Sequence, residues 1–254
     1  MKKTLLAVAM ASSFTSFGAI AADKAPEPSY TLTGNIGLVS DYRFRGVSQT
    51  QKGPAVQGGL DLALSNGLSF GTWTSNVSQW ANLGGSQEVD LYGAFSKEVA
   101  GVSLSVGGIQ YWYPRNIAGI SQNTFEYFLS ASYGPISYKI SQANGDWFGV
   151  DADGATYHDL TASLGSLGLS DKYSFSIHVG KQTIKEQGVN SANNFGFTDY
   201  SIKAGYAISD SLSAAITASR VKFSDKADAE ANWFSFDGKK LGGSAIVASI
   251  TKTF

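Results

Sequence analysis

Few side chains in this chain can do chemistry: among 254 residues there are 2 His, no Cys, and 20 acidic residues against 19 basic ones. A hydrolase would need a nucleophile, a general base and a polar orienter brought together. His158 stands in YHDL beside Asp159, whose side chain in an extended chain points to the opposite face. His178 stands in SIHVG among small residues, and no serine lies two positions downstream of either histidine. Both read as hydrogen-bonding wall residues, and no residue is assigned a catalytic role. Metal ligation fares little better, because no H-E-x-x-H occurs. The stretch GDWFGVDADG gathers Asp146, Asp151 and Asp153 without the EF-hand spacing. A solvated acidic loop is the default there, with a weak Ca2+ contact as the alternative. GSLGLS lacks a phosphate-loop pattern and reads as a turn. No cofactor and no metal are expected.

What remains is charge set on alternating segments. AVQGGLDLALS places Val56, Leu60, Leu62 and Leu64 opposite Gln57 and Asp61, and QEVDLYGAFS places Val89, Leu91 and Phe95 opposite Glu88, Asp90 and Tyr92. YTLTGNIGLVSDY does the same with Leu32, Ile36 and Leu38 against Thr31, Thr33 and Asn35, while TFEYFLSASY puts Phe125, Tyr127, Leu129 and Tyr133 on one face. A period of two is the mark of a strand with one apolar side. Asn66-Gly67 and Gly134-Pro135 are turn signals between such strands. In LSFGTW the phase is unclear, since Phe70 and Trp73 cannot share a face without a bulge. About twelve strands of roughly 9 to 11 residues are expected, the length a tilted strand needs to cross a bilayer.

The connections between them alternate in length. Asn66-Gly67, 97–101, 134–135, 165–172 and 208–210 are short, whereas 43–54, 78–86, 114–123, 143–154, 182–197 and 222–242 are long. Short turns at one end and long loops at the other, with an even strand count, are what a transmembrane barrel shows. Both termini then lie at the short-turn, periplasmic end. Tyr30, Phe95, Tyr133, Tyr173 and Phe254 are expected to form an aromatic girdle there, with Tyr42, Trp112 and Phe125 contributing to the other one. A soluble β-barrel or sandwich is the rival, with its apolar face turned in.

The first residues favour export. Lys2 and Lys3 precede an apolar run from Leu5, and small residues close on Ala19-Ile20-Ala21, the order of a secretory signal peptide. The expected organisation is a cleaved signal over 1–21, a short periplasmic segment over 22–29 and one barrel domain over 30–254. Loss of Lys2 and Lys3 takes the formal charge from −1 to about −3, too balanced to favour a nucleic-acid partner. Absence of cysteine leaves backbone pairing and packing to hold the exported chain together.

The stretch SDYRFRGVSQTQKGPAVQGGLDL, followed by GTWTSNV, EVDLYGAF, YWYP and TFEYFLSASY, resembles the TorF family of small porin-type proteins of the Gram-negative outer membrane. The resemblance is dense from Gly34 to about Tyr138 and thin beyond. It implies an outer-membrane barrel with a channel role and no established substrate.

If the apolar faces meet lipid, the inward set is Asp61, Glu88, Asp90, Tyr92, Glu126, Lys139, Asp159, His178, Asp199 and Lys203. Acids predominate in it, and rings of carboxylate favour cations. The reading is a passive channel for small hydrophilic solutes or ions with modest cation preference. Its alternative is a barrel plugged by its own side chains that works through its loops, and a membrane hydrolase ranks third. Arg43 and Arg45, where the first strand meets its long loop, either bind lipopolysaccharide phosphates outside or fold inward as a constriction. Phe254, ending an alternating last strand, resembles the signal by which the barrel assembly machinery recognises its clients, with Lys252 departing from the usual apolar residue. Outer-membrane lipid, lipopolysaccharide, that machinery and small solutes are the expected partners; oligomeric state is left open.

Overall fold

The computed structural model describes residues 29–115, 121–152, 154–184, 195–225 and 234–254. The expected signal peptide over 1–21, residues 22–28 and Asp153 lie outside the described residues. Among the described residues sixteen strands follow in order: β1 Tyr30–Val39, β2 Arg43–Phe44, β3 Val47–Ser48, β4 Ala55–Leu64, β5 Leu68–Asn76, β6 Gln87–Val99, β7 Val102–Trp112 and β8 Thr124–Tyr133. The second half adds β9 Ile136–Ala143, β10 Thr156–Gly165, β11 Tyr173–Thr183, β12 Phe197–Ser209, β13 Leu212–Phe223, β14 Ser235–Phe236, β15 Lys239–Lys240 and β16 Ser244–Thr253. Twelve of them, β1, β4 to β13 and β16, form one closed antiparallel barrel in chain order. The two-residue pairs β2-β3 and β14-β15 are hairpins within long connections.

Closure joins the first strand to the last. β1 and β16 pair in register from Asn35 opposite Thr253 to Val39 opposite Ser249. The ladder ends on a reciprocal pair of bonds, from the Gly34 amide to the Phe254 carbonyl (2.8 Å) and from the Phe254 amide to the Gly34 carbonyl (2.9 Å). No strand of the barrel has an open edge, which is the condition for burying a sheet in hydrocarbon.

The apolar faces point outward. Leu32, Ile202 and Ile246 are 59%, 62% and 77% exposed, and so are the corresponding positions of neighbouring strands. In water such a belt would be a large unfavourable surface; around a barrel with a polar interior it is the lipid-facing wall of a transmembrane protein. The predicted girdle stands at the short-turn end, where Tyr30, Phe95, Tyr133, Tyr173 and Phe254 are all exposed on the outside. Trp112 is exposed at the opposite end.

One open phase is settled and two expectations need correction. The ladder around β5 is regular, with Phe70 opposite Gly93 and Trp73 opposite Asp90, so no bulge exists there. Phe70 faces lipid and Trp73, 3% exposed, faces inward, packing edge-on to Tyr42 at 5.2 Å. Tyr42 is therefore no girdle residue but a buried one, drawn inside because its hydroxyl has a carboxylate to bond there. The 97–101 connection also shrinks to Ala100-Gly101, since β6 runs on to Val99. Both turn residues have φ above zero, 51° and 82°, the left-handed values a tight hairpin requires.

Candidate functional site

The first long connection, between β1 and β4, turns into the barrel. It is stapled internally by Asp41, whose carboxylate accepts from Arg43 Nε (2.7 Å), Ser48 Oγ (2.6 Å) and Thr50 Oγ1 (3.3 Å). Arg43 also donates to the Gly46 carbonyl at 2.7 Å. Arg45 and Gly46, at φ 47° and 79°, make the tip of the β2-β3 hairpin. A Cβ on Gly46 would run into Val221 of β13 and Asp199 of β12, so only glycine lets the tip lie this close to the wall.

Arg45 crosses the lumen. Its Nη2 donates to Glu126 Oε2 on β8 and its Nη1 to Gln182 Oε1 on β11, each at 2.5 Å, so one guanidinium ties together wall positions three strands apart. The guanidinium carbon lies 4.2 Å from the Tyr157 ring centre and 4.6 Å from that of Phe44. Burial opposes its charge, but the Glu126 carboxylate beside it holds the guanidinium well above its ordinary pKa. Arg45 is a fixed cation, and the planar fork is what allows it to bond two partners at once. Of the two sequence-level alternatives for Arg45 the inward constriction is the one observed, while Arg43 serves the loop itself.

Around Arg45 the wall is acidic. Glu88, Asp90 and Glu126 are buried, and Tyr42 donates to Glu88 Oε1 at 3.1 Å. Burial, with Glu88 and Asp90 next to it, pushes the Tyr42 phenol well above its usual pKa, so it stays a donor. Glu88 Oε2, Asp90 Oδ1 and Glu126 Oε1 have no protein hydrogen-bond partner among the described residues. Among the described residues no cluster of His, Cys, Asp and Glu is arranged to hold a metal ion.

Nearer the short turns, a second network lines the interior. Tyr92 donates to Asp61 Oδ1 at 2.7 Å, its ring lying over Gly71, where any side chain would overlap it. His178 Nε2 stands 2.9 Å from Asp199 Oδ1 and its Nδ1 3.3 Å from Asp159 Oδ1, with the Tyr157 hydroxyl donating to Asp199 at 3.1 Å. Both ring nitrogens are thus engaged by carboxylates, and neither is free to take a proton from a nucleophile. Lys139 is the cross-strand neighbour of Asp159, and Lys203 lies opposite Ser176 and Thr217 on the inner face. Every residue read as pore-lining faces inward. His158 faces outward, where its Nδ1 is 2.7 Å from the Tyr138 hydroxyl.

At the long-loop end, Val47, Trp147, Val150, Ile184, Phe195, Phe197, Phe223, Phe234 and Leu241 pack into one buried apolar cluster. Gln182, Tyr157, Trp73 and Phe148 are site residues that the sequence reading missed. Gln182 shares the parity of His178 and Gly180 on β11 and was discoverable by extending the strand; Phe148, in a loop, carried no such signal.

A closed barrel with an apolar outer wall, a charged interior and an inward-folded first loop defines a transmembrane β-barrel of the porin-like fold. Within that class the chain belongs to a bacterial protein family of unknown function, Gcw_chp, whose profile matches residues 23–254. The family carries that description rather than the TorF name expected from the motifs. Among solved structures the NanC porin is similar at 10% identity and TM-score 0.52, with 88% of this chain and 99% of that one covered. The KdgM porin in complex with disordered oligogalacturonate is similar at 6% identity and TM-score 0.49, with 88% and 99% covered. OpdK of Pseudomonas aeruginosa, solved with vanillate, is similar at 11% identity and TM-score 0.43, with 91% and 67% covered. No curated protein matches the chain. At these identities the likeness speaks to fold alone.

Proposed function

We propose that this protein is a narrow passive channel of the Gram-negative outer membrane, exported through its signal peptide, that passes small hydrophilic solutes or ions with modest preference for cations. The observation that carries the reading is the charged interior: Asp61, Glu88, Asp90, Glu126, Asp159 and Asp199 face inward, against Arg45, Lys139 and Lys203. A barrel that needed only to fill itself would do so better with apolar side chains, because buried charges are costly to desolvate. The partnerless oxygens of Glu88, Asp90 and Glu126 are closed off from solvent, so they would act on a passing cation through their field and not by contact. The likeness of the fold to the NanC porin and the motif resemblance to the TorF family point the same way. Catalysis has no support in the geometry of His178.

One observation favours a second reading. The apolar cluster at the long-loop end, with Arg45 bolted across the interior, is how a barrel plugged by its own loops would be built. Single-channel recording of the refolded mature protein in a planar bilayer under a salt gradient separates the two. Discrete steps with a cation-favouring reversal potential support the channel, and amides at Glu88, Asp90 and Glu126 should then move that potential toward zero. Silence from protein shown to be folded supports the plug, and steps whose reversal potential ignores the amides remove the assigned role of these carboxylates.

A further inference from the structure

At the long-loop end the outward positions of the barrel strands carry basic side chains in one quadrant. In register, His158 of β10 lies opposite Lys181 of β11, Lys181 opposite Thr198 of β12, and Thr198 opposite Lys222 of β13. All four therefore sit in one row on the outer face. Arg220 is on the same face two residues deeper along β13, opposite Tyr200. Lys181, Arg220 and Lys222 are exposed. Lys181 and Lys222 flank a single strand, so their Cα atoms stand about 10 Å apart, within reach of one group placed between their flexible stems. At the same end of other strands the outward positions are neutral, among them Val56, Asn76, Gln87, Trp112 and Gln142.

Among the described residues no salt bridge engages these cations. The salt bridges among the described residues join Arg43 to Asp41, Arg45 to Glu126 and His178 to Asp159 and Asp199. Each carboxylate on a barrel strand that appears in those pairs faces inward, so among the described residues no strand carboxylate on the outer wall neutralises the basic row. An unpaired cation at the edge of hydrocarbon is unfavourable unless it reaches an anion at the interface. The anion available at that depth is a phosphate of a lipid headgroup, and Arg with two Lys is the set that grips one: a planar fork and two movable point charges.

We propose that Lys181, Arg220 and Lys222, with His158 at the margin, form a binding site on the outside of the barrel for the phosphates of a phosphorylated outer-leaflet glycolipid. The inference rests on the outer-membrane orientation given above, which puts the long-loop end at the outer leaflet, and not on conduction. The site anchors the barrel's height and rotation in the membrane through a lipid that touches β10 to β13. It differs from the arginines first considered for this role, since Arg43 is bonded within its own loop and Arg45 is turned inward.

The test is a titration of the folded full-length mature barrel with diphosphoryl lipid A in detergent, followed by native mass spectrometry. Wild type is compared with Lys181→Gln/Arg220→Gln/Lys222→Gln and with Lys97→Gln/Lys252→Gln, which removes outward cations at the opposite end. Wild type and the Lys97/Lys252 variant should bind one or more lipids equally, and the triple variant on the order of 100-fold more weakly, given about a factor of five per basic residue at such a surface. Heat-modifiable gel mobility checks that each variant is a closed barrel; should the triple variant fail to close, single Arg220→Gln carries the comparison. Equal binding by wild type and triple variant overturns the site, and so does an equal loss in the Lys97/Lys252 variant, which would mean attraction by net charge. Displacement of the lipid by a modest excess of inorganic phosphate would overturn the lipid as the source of the phosphate. A barrel that conducts but binds no lipid A overturns this inference and leaves the channel reading standing.

Discussion

Arg45 is the residue on which the interior is organised. It is held by charge-assisted bonds to Glu126 and Gln182 and by contact with the Tyr157 and Phe44 rings, so its removal would leave Glu126 buried without its counter-ion. Breaking a buried pair from one side costs about 3–5 kcal/mol, more than the pair contributes against an apolar replacement. Arg45→Ala should therefore lower the stability of the folded barrel to urea by roughly that amount, and should raise single-channel conductance because the cross-lumen tie is gone. Arg45→Lys should restore little, since an ammonium cannot fork between two partners. The double variant Arg45→Ala/Glu126→Gln should recover much of the lost stability. Conductance unchanged in a folded Arg45→Ala barrel would show that the first loop does not set the narrowest point.

At the level of elements, the last strand has a chemistry of its own. Phe254 ends β16 outside the barrel, its ring against Gly34 and its backbone bonded to that residue in both directions. Phe254→Ser keeps the backbone pair, so refolding in detergent should proceed nearly as before. Phe254→Ser should nevertheless reduce the folded protein recovered from outer membranes several-fold, with Phe254→Tyr close to wild type, if the assembly machinery reads the terminal aromatic. Equal recovery of all three would remove that role. The strands themselves were legible because a two-residue period is a local property, and the alternation of short and long connections gave their direction. Loops obey no such period. Whether Arg45 and Tyr42 point in or out depends on Glu126, Gln182 and Glu88, which are from 46 to 137 residues away in sequence and adjacent only once the barrel has closed. The phase of β5 stayed open for a related reason: parity puts Phe70 and Trp73 on opposite faces, and only the contact with Tyr42 shows that Trp73 is the one inside. The inward charges could be listed from parity, but not their pairing; that His178 lies between Asp159 and Asp199 follows from the register of three strands.

For the molecule as a whole, one arrangement separates a membrane barrel from a soluble one: which face of every strand meets its surroundings. Ile202 sits near the middle of β12 on the outer face, between Ile177 on β11 and Ala218 on β13. Thr33 of β1 faces inward, opposite Asp61 of β4. In a bilayer, Ile202→Arg places a cation in hydrocarbon and should destabilise the folded barrel by about 2–4 kcal/mol. Thr33→Arg meets water and the Asp61 carboxylate, and should change stability by well under about 1 kcal/mol. A soluble barrel with the same outer face in water would respond to Ile202→Arg with little change or a gain in solubility. Urea unfolding of both variants, refolded in lipid bilayers, measures the contrast directly. Equal effects at the two positions would mean that Ile202 is not in contact with lipid, and with it would go the outer leaflet, the lipid site on β10 to β13 and the channel across the membrane together.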